Sequence, residues 1–367
     1  MKFTINKIYF QKCINTVLHV AYNNKAQKSI LECIHIESRE NKIILNAFDT
    51  VTAIRTETYA DIQEEGACAI PARMLSDVVA KLAEGDITIE KGEENGIRLT
   101  CGKTTIVLQE MDANQFPSFP AINGNSFSLE SHKLKELVGG TAFSVYQLPD
   151  KPIITGLLLE SEDNRLNVVG IDGIRMAKMS INKNATEDFR VVVPAKAMKE
   201  AARIMGDMEE EPIRVVTDKN SCFFISDDTM IYTRLLEGEY MNYRNLIPPS
   251  FKTRVKVNVS LLEDSLNMVS VMSREMSTNP VKMLVNYDSI ELSARSEYGS
   301  ASDVVPCKMD GEGMSIFVNA RYLLDVLKVV DDDEVMLEFE NGLKPYIIRP
   351  VEGEDYVYMI VPLNIRE

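Results

Sequence analysis

Nothing in this sequence pairs its cysteines. The six of them (Cys13, Cys33, Cys68, Cys101, Cys222, Cys307) are scattered without a C-x-x-C spacing, and only three histidines (His19, His35, His132) exist to join them. Neither a disulfide framework nor a zinc site is indicated, and the thiols read as small apolar residues in a reducing compartment. Long apolar runs are missing too. No stretch reaches the roughly 18 residues that a membrane span needs, so no membrane partner is expected. The opening Met1-Lys2-Phe3-Thr4-Ile5-Asn6 alternates like a strand and lacks the apolar core of a secretory signal, which makes a cytoplasmic location the expectation. A phosphate-cradling glycine loop, a metal-spaced His or Cys cluster and a Ser-His arrangement with recognisable context are all absent, so neither a metal nor a cofactor is expected.

What is present begins with charge and length. The net charge of −15 argues at first against a nucleic-acid partner, because affinity for phosphate comes from Lys and Arg. A protein that meets a nucleic acid on one surface needs cations on that surface alone, so net charge does not decide. At 367 residues, with 45% hydrophobic and 26% charged, the chain is an ordinary globular one but too long for one core.

Self-similarity accounts for the length. Ile70-Pro71-Ala72-Arg73-Met74-Leu75 recurs as Val193-Pro194-Ala195-Lys196-Ala197-Met198 and as Val318-Asn319-Ala320-Arg321-Tyr322-Leu323. Apolar residues follow at helical spacing: Leu75, Val78, Val79, Leu82, then Met198, Ala201, Ala202, Met205, then Leu323, Val326, Leu327, Val330. The strands Ile43–Phe48, Leu166–Ile171 and Ile290–Arg295 repeat upstream. Paired strands at Ile97–Leu108 resemble those at Cys222–Thr233. A first helix is predicted in each copy at Lys7–Ala21, His132–Ala142 and Ser260–Ser273. Linkers fall at Phe116-Pro117-Ser118-Phe119-Pro120 and Ile247-Pro248-Pro249-Ser250. The fold class is therefore α+β: three copies of a unit with two helices and antiparallel sheets, at 1–122, 123–250 and 251–367.

One repeated position is not explained by folding. Arg73, Lys196 and Arg321 stand in the first helical turn of the three copies, where a cation opposes the helix dipole. Lys81, Lys199, Arg203 and Lys328 lie off the apolar stripe, alongside Asp77, Glu200 and Asp325.

These helix starts, the opening Met1-Lys2-Phe3-Thr4-Ile5, the stretch Gly170-Ile171-Asp172-Gly173-Ile174-Arg175-Met176 and the run Tyr358-Met359-Ile360-Val361-Pro362-Leu363 resemble the beta subunit of bacterial DNA polymerase III. The resemblance runs end to end. It implies a DNA sliding clamp: a head-to-tail ring homodimer around double-stranded DNA, helices lining the hole, with no catalytic residue. The partners it implies are the replicative DNA polymerase, the clamp loader and repair proteins, each carrying a clamp-binding peptide. By position it carries DNA contacts to Lys25, Arg73, Lys151 and Lys196, and ring-interface contacts to Ile106, Leu108, Val271 and Met272. It carries a peptide pocket to Ile154, Ile171, Gly173, Ile174, Arg175, Met176, Leu246, Tyr322, Leu343, Met359, Val361, Pro362 and Leu363, with Arg175 as a hydrogen-bond anchor in an apolar groove. The chain departs from the family pattern at Leu148 and Pro152 among the DNA contacts, at Ile174 and Met241 in the pocket, and in running on through Asn364-Ile365-Arg366-Glu367.

Two other classes compete. An enzyme would use carboxylates such as Asp49 and Asp172, which occupy equivalent places, yet no partner group accompanies them and turn hydrogen bonding explains them better. A protein-only scaffold would have no need of the cation repeated at Arg73, Lys196 and Arg321.

Overall fold

Each copy opens with a strand that hands over directly to a helix. In the first and third copies an asparagine makes the junction: the Asn6 side chain accepts from the Ile8 amide, and that of Asn258 from the Leu261 amide. The computed structural model describes residues 1–21, 29–92, 96–182, 188–207 and 212–365. Repeat one holds β1 (Lys2–Asn6), α1 (Lys7–Leu18), β2 (Cys33–Arg39), β3 (Lys42–Phe48), β4 (Thr52–Tyr59), β5 (Asp61–Glu64), β6 (Gly66–Pro71), α2 (Ala72–Lys81), β7 (Asp86–Lys91), β8 (Gly96–Cys101) and β9 (Thr104–Gln109). Repeat two holds β10 (Asn125–Leu129), α3 (Ser131–Gly139), β11 (Gly156–Glu162), β12 (Arg165–Ile171), β13 (Arg175–Asn182), β14 (Phe189–Pro194), α4 (Ala195–Met205), β15 (Ile213–Thr217), β16 (Ser221–Ile225) and β17 (Thr229–Arg234). Repeat three holds β18 (Thr253–Asn258), α5 (Val259–Val269), β19 (Pro280–Val285), β20 (Ser289–Ser296), β21 (Gly299–Gly311), β22 (Met314–Asn319), α6 (Ala320–Leu327), β23 (Glu334–Phe339), β24 (Tyr346–Pro350) and β25 (Tyr356–Ile360).

The predicted helices are present, and several end earlier than their apolar spacing suggests. α1 ends at Leu18, α3 ends at Gly139, and α5 continues past Val269 only as a tight 3₁₀ turn, Ser270–Ser273. The stripe outlasts the helix because Leu82, which follows α2, is buried in extended backbone. Five of the cysteines are buried and Cys307 is half-buried, all as free thiols.

Two compact units emerge, Met1–His132 with Glu200–Leu235, and Lys133–Lys199 with Leu236–Glu367. The middle repeat contributes to both, for a reason visible in the sheets. The first unit contains a sheet ordered β5-β1-β7-β8-β9 and another ordered β10-β15-β16-β17-β4-β3-β2-β6. The second contains one sheet, β14-β11-β12-β13-β25-β24-β23-β18-β21-β20-β19-β22. In both units the last strand of one repeat pairs antiparallel with the fourth large strand of the repeat before it: β17 with β4, from Thr229↔Thr56 to Thr233↔Thr52, and β25 with β13, from Tyr356↔Met179 to Ile360↔Arg175. Thr56 and Thr229 also join their hydroxyls at 2.9 Å across the first seam.

After each last strand the chain crosses over the outer sheet face. Met111 N donates to Ala69 O at 2.9 Å, Leu236 N to Val192 O at 2.9 Å and Leu363 N to Phe317 O at 2.8 Å, which are equivalent positions on the three edge strands. In repeat one the following linker stacks Phe116 on His35, with centroids 5.1 Å apart, and places Phe119 under Arg55 at 4.6 Å. In repeat two Tyr240 donates to Val169 O at 3.1 Å and Tyr243 donates to the buried Glu160 at 2.8 Å, where Arg244 also binds at 2.9 Å.

These seats make the linkers acid-sensitive. Burial, with Arg55 nearby, holds His35 below its ordinary value of 6.5 against a smaller opposing pull from Glu37. Burial alone would raise Glu160, but the bonds from Arg244 and Tyr243 outweigh it and hold the carboxyl below its ordinary 4.5. Both groups take up protons more readily unfolded than folded, so each contributes stability above its ordinary value that is lost as pH falls through its folded value. Thermal melting should therefore lose stability first below pH 6.5 and again below 4.5. His35→Gln should remove the first step and leave the second.

Candidate functional site

A turn repeated in the sequence builds the centre of the site. The Asp172 carboxylate accepts from the amides of Ile174 and Arg175, both at 2.9 Å, as Asp49 accepts from Val51 at 3.2 Å and Thr52 at 2.8 Å. Both carboxylates close turns, which is why the sequence repeats them. The residue after each aspartate has positive φ, Gly173 at 94° and Thr50 at 77°. The turn sends Ile174 outward, 46% exposed, and starts β13 beside β25.

Most of the predicted pocket residues lie around this turn. Ile154, Ile171, Met176 and Met359 are buried in one cluster with Tyr240 and Tyr243, and Leu246 is half-buried against it. Val361 N donates to Ile174 O at 2.9 Å, extending the β13–β25 pairing by one bond, and Pro362 behind it is buried. Leu363 is half-buried and leaves toward β22. Leu343, 71% exposed, stands on the turn leading into β24, where Asn341 accepts from the Leu343 amide at 2.9 Å. Met241 is also exposed. The arrangement is an apolar floor with exposed apolar residues at its edge, and its methionines adapt their shape readily.

Arg175 takes a different part from the one its position suggests. Its three nitrogens donate to Asp172 at 2.9 Å, Asp325 at 2.6 Å and Phe143 O at 2.7 Å. Its guanidinium also lies over the rings of Tyr322 at 4.3 Å and Phe143 at 5.3 Å. This side chain fastens β13 to α6 and to the 3₁₀ turn Ala142–Ser144, so its donors are already engaged within the second unit.

The repeated cations Arg73, Lys196 and Arg321 are all exposed in the first turns of α2, α4 and α6. Lys151 is exposed, with its ammonium 5.3 Å from the Tyr146 ring. Leu148 is 58% exposed, and Pro152 opens a 3₁₀ turn. Lys25 lies outside the described residues. Arg203 is committed to Glu200 at 2.8 Å, and the nearby Lys7 is buried on Leu82 O at 2.6 Å.

Of the predicted interface residues, Ile106 and Leu108 lie on the edge strand β9, and Val271 and Met272 in a 3₁₀ turn beside β21. β9 ends its sheet and carries half-buried Ile106, buried Leu108 and, between them, Val107, which is 56% exposed. On repeat three Val271 is 52% exposed and Met272 half-buried, in the turn that packs on β20 and β21. Among the described residues, 299–306 of β21 pair only with β20. Val107 and Val304, the latter 60% exposed on β21, are further exposed apolar residues on these strands that no local sequence signal marks, because a strand's place in a sheet is a property of topology. No group of three or more His, Cys, Asp or Glu suited to a metal occurs among the described residues. No helix among them is long and apolar enough to cross a membrane.

Models of the N-terminal, central and C-terminal domains of the DNA polymerase III beta subunit match residues 1–120, 128–242 and 244–364. The beta sliding clamp of Staphylococcus epidermidis is 28% identical over 376 aligned residues, with 99% of each chain covered. The crystal structure of the DNA polymerase sliding clamp from Bacillus subtilis superposes with a TM-score of 0.96 at 26% identity, covering 100% of both chains. That of the DNA polymerase III beta chain from Streptococcus pneumoniae gives 0.93 at 26% identity, covering 99% of this chain and 100% of that one.

Arg175→Ala should destabilise the second unit by about 3 kcal/mol, because it leaves the mostly buried Asp172 without its cation. Urea unfolding checks this, and Arg175→Lys should recover only part of the loss, since an ammonium cannot reach all three acceptors in one plane.

Proposed function

We propose a function from one premise: the chain belongs to the DNA polymerase III beta subunit family, the bacterial sliding clamps. Its function is that of a sliding clamp for DNA polymerase, and a clamp is a processivity factor that tethers other proteins and needs no catalytic machinery of its own. The finer reading is that the chain closes as a homodimer around duplex DNA in the cytoplasm. Its three domains, 1–122, 123–250 and 251–367, are supported by the three family matches.

The observation that carries closure is the repeated seam. β17 pairs with β4 and β25 with β13 at equivalent residues, and the remaining members of the series, β9 and the first half of β21, have no such partner among the described residues. A second copy supplies each with the other. Transferring the internal register places Thr104 opposite Asp303, Ile106 opposite Ala301 and Leu108 opposite Gly299 of the partner copy. A side chain at Gly299 would begin 3.8 Å from the Met272 sulfur, so Leu108 would meet Met272 there, with Val271 beside it. Two such seams close a head-to-tail ring without an open edge.

Duplex DNA is held through Lys25, Arg73, Lys151 and Lys196, with Arg321 as the third member of the repeated set. Few cations on an acidic body favour a salt-sensitive grip that permits sliding. The groove around Ile174, Met176, Leu246, Tyr322, Leu343, Met359 and Val361 receives the apolar side chains of a linear peptide carried by the replicative polymerase, the clamp loader and repair proteins. Ile154, Ile171 and Pro362 support its floor, Gly173 turns its rim, Leu363 anchors the run beyond it and Arg175 holds its wall.

Thr105→Cys with Ser302→Cys should yield a disulfide-linked dimer under mild oxidation, whereas Thr105→Cys with Ala294→Cys should not; equal cross-linking by both pairs would refute the register. Protein loaded on nicked circular DNA should be retained and then lost on linearisation. Arg73→Glu with Lys196→Glu should cut retention several-fold without dissociating the dimer, and undiminished retention would remove those residues from the DNA contact. Ile174→Glu should abolish capture of a clamp-binding peptide.

A further inference from the structure

Two of the repeated helices carry the same acid and the same second cation, and they pair them differently. Four residues after the first-turn cation stands Asp77, Glu200 or Asp325, and seven after it Ala80, Arg203 or Lys328. Those two positions are three apart and adjoin on a helix. In α4 the pair closes: Arg203 donates to Glu200 at 2.9 and 2.8 Å, so its charge is neutralised within the helix. In α6 it stays open. Asp325 accepts from Arg175 of β13 at 2.6 Å, while the same guanidinium is held by Asp172 at 2.9 Å and by the Phe143 carbonyl at 2.7 Å. Two carboxylates and a carbonyl on one planar fork keep Asp325 from swinging back toward its own helix. Lys328 is left exposed, and its side chain has no ion pair or hydrogen bond among the described residues. The same is true of Arg321 and of Arg274, which follows the 3₁₀ turn Ser270–Ser273. All three line one cleft of about 370 Å³ between α5 and α6, together with Asn267 and Asn279, and Asp325 is the one acid among its lining residues.

We propose that Arg175 is a positioning residue for DNA: by holding Asp325 it leaves Arg274, Arg321 and Lys328 free to take a backbone phosphate in the α5–α6 cleft. The proposal rests on the reading of these helices as the DNA-facing surface. Lys328 stands at the C-cap of α6, where a cation suits the helix dipole. The dipole accounts for a lysine there but not for the loss of the partner that Arg203 keeps. Without Arg175, Asp325 regains Lys328 three residues on and lies four residues from Arg321, so the cleft offers a phosphate one free cation fewer. Arg175 itself does not line the cleft, and its effect on DNA passes entirely through the carboxylate it holds.

The test titrates the full-length protein against a short fluorescein-labelled DNA duplex by fluorescence anisotropy over a range of salt. Lys328→Gln should weaken binding about fivefold at about 0.1 M salt and lower the slope of log affinity against log salt by about 0.9, the share of one phosphate contact. Arg175→Ala should weaken and flatten it to the same extent. Adding Asp325→Asn to Arg175→Ala should restore both affinity and slope, whereas adding Lys328→Gln to Arg175→Ala should change little more. A purely structural role for Arg175 gives neither the change in slope nor the rescue. Arg175→Lys should fall between the wild type and Arg175→Ala, with the same rescue by Asp325→Asn, and it carries the test if circular dichroism shows that Arg175→Ala is unfolded. Wild-type affinity and slope in Lys328→Gln, or a folded Arg175 variant that Asp325→Asn does not restore, would overturn this proposal and leave the DNA reading standing. A wild-type chain that binds no duplex at low salt would overturn both.

Discussion

A β-strand at the edge of a sheet leaves a row of backbone donors and acceptors unpaired, and the organisation of this chain follows from how its repeats deal with that. Each repeat ends on a strand that its own sheet leaves open. Strand β17 is completed by β4 and strand β25 by β13, so consecutive repeats become continuous sheets joined by main-chain hydrogen bonds. The same bonding makes the middle repeat belong to both compact units. A main-chain seam tolerates sequence change because it is not made of side chains. The superposition at a TM-score of 0.96 with only 26% identity is what such an architecture allows.

Function is laid on this frame in two layers. On the helices, cations repeat at the first turn against the dipole, a placement that costs local stability and gains an outward-facing charge. On the outer sheet faces, the crossing chain after each last strand divides a continuous surface into a covered part and a groove. Tyr240 and Tyr243 are buried in one cluster with Met176 and Met359, and Ile174 stands exposed beside them, where the groove is proposed. Arg175 fixes the boundary by joining β13 to α6 through Asp325. On the proposed reading, a partner peptide would meet a surface whose shape is set before it arrives, with methionines as the adjustable part.

Much of this was legible because it is local. Helical spacing exposed the second helix of each repeat, an alternating strand announced the first, and the aspartates at 49 and 172 marked turns because an Asx turn is made by residues two and three apart. The seams were not legible, since β4 and β17 lie far apart in sequence and strand register carries no local signature. Phe116, Phe119 and Tyr243 read as loop punctuation among prolines and polar residues, although they seal sheet faces. Arg175 was found by position but its task was not, because a sequence cannot show that Asp172, Asp325 and the Phe143 carbonyl converge on one guanidinium.

The central claim is that the unpaired members of the seam series, β9 and the first half of β21, complete each other between two copies. Light scattering on the purified chain at micromolar concentration tests it most directly. The account predicts a single species of twice the 41.3 kDa chain mass, unchanged on moderate dilution. A stable monomer at that concentration would contradict it, because both edges would then be open to water and no ring could close.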